Sequence, residues 1–147
     1  MHTNSIIMLV DDSLDDLELM RIAFKRAGIR NPIAEMHSGE EAIEYLSGEG
    51  KYADRRHFPL PCVVITDLKM PGVDGFELLE WLKGQSAFDR VPKIVLTASR
   101  HDEDERRATE VGCSAYFVKP EQLDGLVKLV SKMNDGWISV YCPIAAS

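Results

Sequence analysis

The sequence predicts a doubly wound α/β sheet, and three observations predict it. Short apolar runs recur at residues 6–10, 32–36, 62–65, 92–96 and 115–118. Amphipathic stretches lie between them, and no internal repeat or low-complexity segment interrupts the alternation. The first run is β-branched and continuous, the pattern of a strand covered on both faces. Such alternation implies parallel strands, right-handed crossovers and helices on both sides of the sheet.

The first strand, Ile6-Ile7-Met8-Leu9-Val10, runs straight into Asp11-Asp12-Ser13. A helix over 14–27 follows, with Leu17, Met20, Ile22, Phe24 and Ala27 among its apolar positions. Asp15, Asp16 and Glu18 favour its positive dipole end, and Gly28 stops it. Residues 32–36 form a weaker second strand. Ser38-Gly39-Glu40-Glu41 opens a second helix, which reaches about Leu46. Residues 47–61, with Gly48, Gly50, Pro59 and Pro61, are long for a helix-to-strand link. They read as a longer second helix or a mobile loop, and Arg55-Arg56-His57 reads as solvated.

The third strand, from Cys62 to Ile65, ends at Asp67 and a loop punctuated by Pro71, Gly72 and Gly75. A helix over 76–83 and a polar connection over 85–90 come next. The fourth strand ends at Thr97-Ala98-Ser99. Asp102-Glu103-Asp104-Glu105-Arg106-Arg107 begins a fourth helix, acid first and base second, and the run reads as a solvated face. Val111-Gly112 closes it. The fifth strand ends at Lys119-Pro120, and a last helix spans 121–133. The expected order is flavodoxin-like, 2-1-3-4-5, with five strands and five helices. Its switch point lies between strands one and three, where Asp11, Asp12 and Asp67 would meet.

The totals bound the function. A chain of 147 residues is the size of one domain, here a core of about 5–134 and an apolar tail over 135–147. Hydrophobic content of 45% and charged content of 28% are those of an ordinary soluble protein. A net charge of -7 argues against nucleic acid as a partner. No apolar run has the length of a membrane span, and the start does not read as a signal peptide. Cys62, Cys113 and Cys142 are scattered and odd in number, which suits a reduced cytoplasm and neither a disulfide frame nor a zinc site. Cys62 and Cys113 are expected in or near the core, Cys142 on the tail. His2, His37, His57 and His101 lack ligand spacing.

Three packed carboxylates repel and need a counter-charge. A hard divalent cation suits them, and magnesium takes one or two carboxylates, a carbonyl and several waters. Lys119 would bring an ammonium near Asp67, and Thr97 a hydroxyl. Such a set can stabilise attack by the Asp67 carboxylate on phosphorus.

The clusters Val10-Asp11-Asp12-Ser13, Thr66 to Gly75, Leu96-Thr97-Ala98 and Tyr116-Phe117-Val118-Lys119-Pro120 stand in order at the strand ends. With them the chain resembles the receiver domain of two-component response regulators, over about residues 5–134. The resemblance implies that Asp67 is the phosphoacceptor. It implies that Asp12 and Asp67 ligate Mg²⁺ directly, Lys69 through its carbonyl and Asp11 through water. Thr97 and Lys119 would bind phosphoryl oxygens, and Tyr116 would be the switch aromatic. The Lys119-Pro120 bond is expected cis. The 47–61 segment, Tyr45-Leu46 and the Trp137 tail are similar to stand-alone receivers that partner phytochrome-type histidine kinases. A sensor histidine kinase or a phosphotransfer protein is therefore the expected donor.

Rival functions fare worse. An aspartyl phosphatase often carries a second Asp two residues after the nucleophile, where this chain has Lys69. A flavodoxin needs a phosphate-cradling loop after strand one, and Asp11-Asp12 would repel phosphate there. A phosphorylation-independent pseudo-receiver, acting only as a docking module, is the alternative that the Asp12, Asp67, Thr97 and Lys119 set argues against. About a dozen residues follow the last helix, so output is expected through protein contact. The apolar tail, Trp137-Ile138-Ser139-Val140-Tyr141, either packs on its own domain or forms a homodimer or kinase-docking surface.

Overall fold

The computed structural model describes residues 5–144. Five strands, β1 (Ile7–Val10), β2 (Ile33–Met36), β3 (Val63–Thr66), β4 (Lys93–Thr97) and β5 (Ala115–Val118), form one parallel sheet. Its order is β2-β1-β3-β4-β5, as the alternation predicts. In register, Val10 lies beside Met36 on one side and Thr66 on the other. Asp11 N donates to Met36 O and Asp67 N to Val10 O, each at 3.0 Å. The two aspartates therefore leave the sheet side by side.

The helices are α1 (Leu14–Arg26), α2 (Gly39–Ser47), α3 (Gly75–Lys83), α4 (Asp102–Glu110) and α5 (Leu123–Met133). Their starts follow from local chemistry. Ser13 Oγ accepts from Asp16 N at 3.2 Å, and Ser38 Oγ accepts from Glu41 N at 3.0 Å. Asp74 and Glu77 form a reciprocal capping box at α3. Gly28, with φ 79°, ends the α1 region as expected.

Every residue of β1 and β3 is buried, because helices cover both faces. Alternate side chains enter different cores. Ile7, Leu9, Val63 and Ile65 pack with Leu17, Phe24, Val130 and Met133 from α1 and α5. Met8, Val10 and Val64 pack with Ala42, Leu46, Leu78 and Leu82 from α2 and α3. Full burial of one such Leu or Ile contributes about 2 kcal/mol. On α4 only Ala108 is buried, so that helix is held by little apolar contact.

Residues 47–61 neither extend α2 by regular turns nor lie loose on the surface. A short 3₁₀ turn, Gly50–Ala53, places Tyr52 against Tyr45 and Phe58, with ring centroids 4.9 and 5.1 Å away. Arg55 is not a solvated charge. Its guanidinium donates to Tyr45 O and Leu46 O at 2.8 Å and to Phe58 O at 3.2 Å, which satisfies the carbonyls at the end of α2. Arg56 and His57 are exposed, as expected.

The tail packs on its own domain. After α5 the chain continues through a π-helical turn, Asn134–Ile138, and one more turn, Ser139–Tyr141. Ile138 and Cys142 are buried in the α1/α5 core, while Val140, Tyr141 and Ile144 are exposed. The cysteine expectation is corrected here: Cys62 and Cys142 form a disulfide, with Cα atoms 5.5 Å apart. Eighty positions separate them in sequence, so spacing gave no hint of the pair. The α5 extension brings the tail back to the start of β3. Cys113 is free and half-buried. Among the described residues, no helix is long and apolar enough to cross a membrane.

Candidate functional site

The loops at the carboxyl edge of β1, β3, β4 and β5 converge on one acidic pocket. Asp11, Asp12 and Asp67 each offer a carboxylate oxygen within 4.8 Å of the others. Asp11 is buried, Asp67 half-buried and Asp12 exposed. Asp11 Oδ1 accepts from Ser13 N at 2.9 Å, and Asp67 Oδ1 accepts from Leu68 N at 2.6 Å. Two further aspartate oxygens face Lys119, whose Nζ lies 2.7 Å from Asp11 Oδ2 and 2.9 Å from Asp67 Oδ2. Lys119 is brought there by β5, where Lys119 N donates to Thr97 O at 2.7 Å.

Electrostatics follow from this geometry. Burial disfavours the Lys119 ammonium, but Asp11, Asp16 and Asp67 outweigh it and hold its pKa far above the ordinary lysine value. Burial pushes the Asp11 carboxyl up, aided by the charge of Asp67 and opposed by Lys119 and the Ser13 N–H. Three carboxylates lie within 4.8 Å of one another around a single ammonium, so negative charge is in excess there. All three donors are hard oxygens, which fits a divalent cation of the magnesium or manganese kind.

Asp16 is a site residue that the sequence reading missed. Its Oδ2 lies 2.8 Å from Lys119 Nζ. Its place in the acidic first turn of α1 speaks only for the helix dipole. The available signal was position: α1 starts directly after β1, so its first turn overhangs the pocket.

Thr97 is fully buried at the end of β4, and its hydroxyl accepts from Ser99 N at 3.3 Å. Tyr116 is half-buried against Leu68, Phe76, Leu79 and Val95, and its hydroxyl donates to Ser99 O at 3.1 Å. Lys69 turns its side chain away from the pocket toward Asp104, 3.4 Å away. Asp104 also accepts from Ser99 Oγ at 2.5 Å. Of the expected solvated acidic run, Asp104 alone thus ties the loop after β3 to the loop after β4. Hydrogen bonding from Ser99, then Lys69, holds its carboxyl below the usual range.

The loop after Asp67 is shaped by glycine. A Cβ at Gly75 would overlap the carbonyl oxygen of Asp67 and lie 2.7 Å from Leu68 Cα. Only glycine lets α3 begin against that backbone. The Lys119-Pro120 bond is trans, as are all peptide bonds among the described residues. That corrects the cis expectation, and trans is the isomer that X-Pro bonds favour by about 0.5–1 kcal/mol.

Comparison with known proteins agrees with this geometry. The model of the response regulator receiver domain matches residues 7–131. The probable methanogenesis regulatory protein FilR2 of Methanothrix harundinacea is 33% identical over 136 residues, which are 90% of this chain and 83% of that protein. Response regulator Rcp1 of Synechocystis is 29% identical over 133 residues, covering 90% of this chain and 88% of its own. Its Mn²⁺-bound structure aligns with a TM-score of 0.80 at 27% identity, over 97% of both chains. The phosphorylated cyanobacterial phytochrome response regulator RcpA aligns with a TM-score of 0.85 at 28% identity, over 94% of this chain and 96% of its own. The five-stranded order, the acidic cluster and these matches lead to one conclusion: the chain belongs to the receiver-domain family of two-component response regulators, proteins that bind a divalent metal and are not enzymes in the usual sense.

Proposed function

We propose that the chain acts as a single-domain response regulator that takes a phosphoryl group onto Asp67. The donor is a phosphohistidine on a sensor histidine kinase, of the phytochrome type, or on a phosphotransfer protein. The setting is the cytoplasm. An oxygen of the Asp67 carboxylate attacks phosphorus, the P–N bond breaks, and the imidazole leaves with the electron pair. Lys119, 2.9 Å from Asp67 Oδ2, is the observation that carries this reading. Its ammonium is fixed where negative charge gathers on the transferring group.

Mg²⁺ would supply positive charge to the transferring group and lower repulsion among the carboxylates. Asp12 and Asp67 would hold it directly, Lys69 through its carbonyl, and Asp11 through water. Asp11 also positions Lys119 by their 2.7 Å contact. Thr97 meets a phosphoryl oxygen as the loop after β4 closes, and Tyr116, tied to Ser99 O, moves with that loop. The bistable surface is the face formed by α4, β5 and α5. Its α4 edge is the weakly packed one.

Incubation with acetyl phosphate and Mg²⁺ tests the proposal. Intact-mass analysis should show one phosphoryl adduct, lost in Asp67→Asn. A wild-type protein that stays unlabelled is the pseudo-receiver, a docking module without phosphotransfer. A homodimer is a second reading, favoured because Val140, Tyr141 and Ile144 remain exposed after the tail has packed. Light scattering on a chain lacking residues 137–147 decides it: a dimer that persists removes the tail from the interface.

A further inference from the structure

We infer that Cys62 and Cys142 form a reversible thiol switch that latches the C-terminal extension to the receiver core. The counterpart is a low-molecular-weight disulfide or a dithiol reductant. The geometry begins with where the two sulfurs lie. Cys62 immediately precedes β3 and is half-buried, and Cys142 is buried at the end of the tail. Past Ile138, Cys142 is the sole buried residue among those described. Apart from the disulfide, the hydrogen bond that ties the tail end to the rest of the domain is from Asn31 Nδ2 to Cys142 O at 2.9 Å, while Cys142 N donating to Ile138 O at 2.7 Å and the Tyr141 ring stacked on Trp137 act within the extension. Val140, Tyr141 and Ile144 add little, because they are exposed. A segment with so few buried contacts opens locally at small cost once its covalent tie is cut.

The chemistry balances. The Cys62 thiolate attacks glutathione disulfide and releases one glutathione thiolate. The Cys142 thiolate then attacks the mixed disulfide and releases the second. Two protein thiols are oxidised, and one glutathione disulfide is reduced to two thiols. A dithiol reverses the exchange. Cys113 does not compete well, because burial raises its thiol above the ordinary value and so keeps it protonated.

A disulfide in a cytoplasmic protein is usually transient, so the switch rests on the cytoplasmic setting proposed above for its supply of reductant. Its consequence lies at the end of β3 opposite Asp67. Five residues of extended chain place Cys62 about 16 Å from the phosphoacceptor. The molecule then takes two inputs at opposite ends of one strand: phosphoryl transfer at Asp67 and thiol oxidation at Cys62.

The test uses the full chain equilibrated in glutathione buffers of graded ratio. Iodoacetamide under denaturing conditions should add one adduct to the oxidised form, at Cys113, and three to the reduced form. The midpoint should fall within cytoplasmic glutathione ratios. Hydrogen exchange at residues 139–144 should run about tenfold faster in the reduced form. Cys142→Ser should exchange like the reduced form in every buffer, and Cys62→Ser serves if that variant misfolds. Equal tail protection in both redox forms overturns the switch, as does a bond that never forms or never opens in those buffers. Labelling by acetyl phosphate is measured in both forms and should agree within about twofold, the noise of an uncoupled site. Loss of that labelling would sink the receiver mechanism without touching the switch.

Discussion

Lys119 Nζ lies 2.8 Å from Asp16 Oδ2, at the same time as it contacts Asp11 and Asp67. One ammonium is therefore shared among three carboxylates, and only one of those belongs to the proposed phosphoacceptor. The Asp16 side chain is 38% exposed, against 10% and 11% for Asp11 and Asp67. Solvent screens the outer contact, so Asp16 is a weak competitor for the lysine, worth about 0.5 kcal/mol. Asp16→Asn should raise the rate of labelling by acetyl phosphate about twofold. Lys119→Ala removes a charge-assisted contact from the transition state and should lower the same rate by at least about tenfold. An Asp16→Asn protein as inert as Lys119→Ala would make Asp16 part of the transfer machinery.

The acidic pocket should report metal through stability. Bound only to the folded state, a divalent ion raises the melting temperature with its concentration. Mg²⁺ or Mn²⁺ should do so here, with EDTA reversing the effect and Asp12→Ala abolishing most of it. The pH dependence has a definite sign. The Asp11 carboxyl is raised in the folded state, chiefly by burial. Its contribution is thus favourable at low pH and is lost as pH rises through the folded value. Metal relieves the ionised form and competes with the proton. The gain in melting temperature from Mg²⁺ should therefore be larger at pH 8 than at pH 5. Differential scanning fluorimetry at the two pH values checks it, and a larger gain at pH 5 would contradict the pocket's electrostatics.

Much of this was legible in the chain because it depends on short-range pattern. Apolar runs ending in Asp11, Asp67, Thr97 and Lys119 fix which residues stand at strand ends, and parallel crossover rules put those ends together. Asp16, Asp104 and Arg55 were not legible. Each is a charged residue in a polar run, and its role depends on which element folds above it. The Cys62–Cys142 bond was hidden for another reason. It joins the start of an internal strand to the end of the tail, and it forms because the extension of α5 carries Cys142 into the core that α1 and α5 share. No local spacing encodes that approach. The cis expectation for Lys119-Pro120 rested on the family resemblance, and sequence alone does not choose the isomer of an X-Pro bond, which here is trans.

The guanidinium of Arg55 gives residues 47–61 their structure. It closes three backbone carbonyls and stands over the Tyr45 ring, 5.9 Å from its centroid. Arg55→Ala should destabilise the protein by about 2 kcal/mol in urea, since half-buried carbonyls lose charge-assisted donors. Arg55→Lys should recover less than half, because an ammonium cannot reach carbonyls on two sides as a planar fork does. Labelling at Asp67 should be unchanged in both, which separates the segment's structural part from the site. A loss under about 0.5 kcal/mol would mean that the aromatic trio Tyr45, Tyr52 and Phe58 holds the segment without it.

Lys93 is the buried cation that no proposed function uses. It sits in β4 with 9% exposure, and its Nζ donates to Phe88 O. That carbonyl also accepts from Val91 N at 3.1 Å, so it stays satisfied if the lysine is lost. Lys93→Met keeps the stem's volume and removes a charge from the interior. It should stabilise the protein at pH 7 by about 1 kcal/mol. Burial holds the Lys93 pKa below its ordinary 10.5, with Asp89 pulling weakly the other way. Between the folded and unfolded values the unfolded chain binds the extra proton, so wild-type stability gains as pH rises through that window. The advantage of Lys93→Met should therefore be constant near neutrality and shrink as pH climbs toward 10.5. Urea unfolding of both proteins from pH 7 to pH 10 measures the gap. A gap that stays flat across that range would show that Lys93 remains a fully hydrated ammonium, reaching water past Phe88.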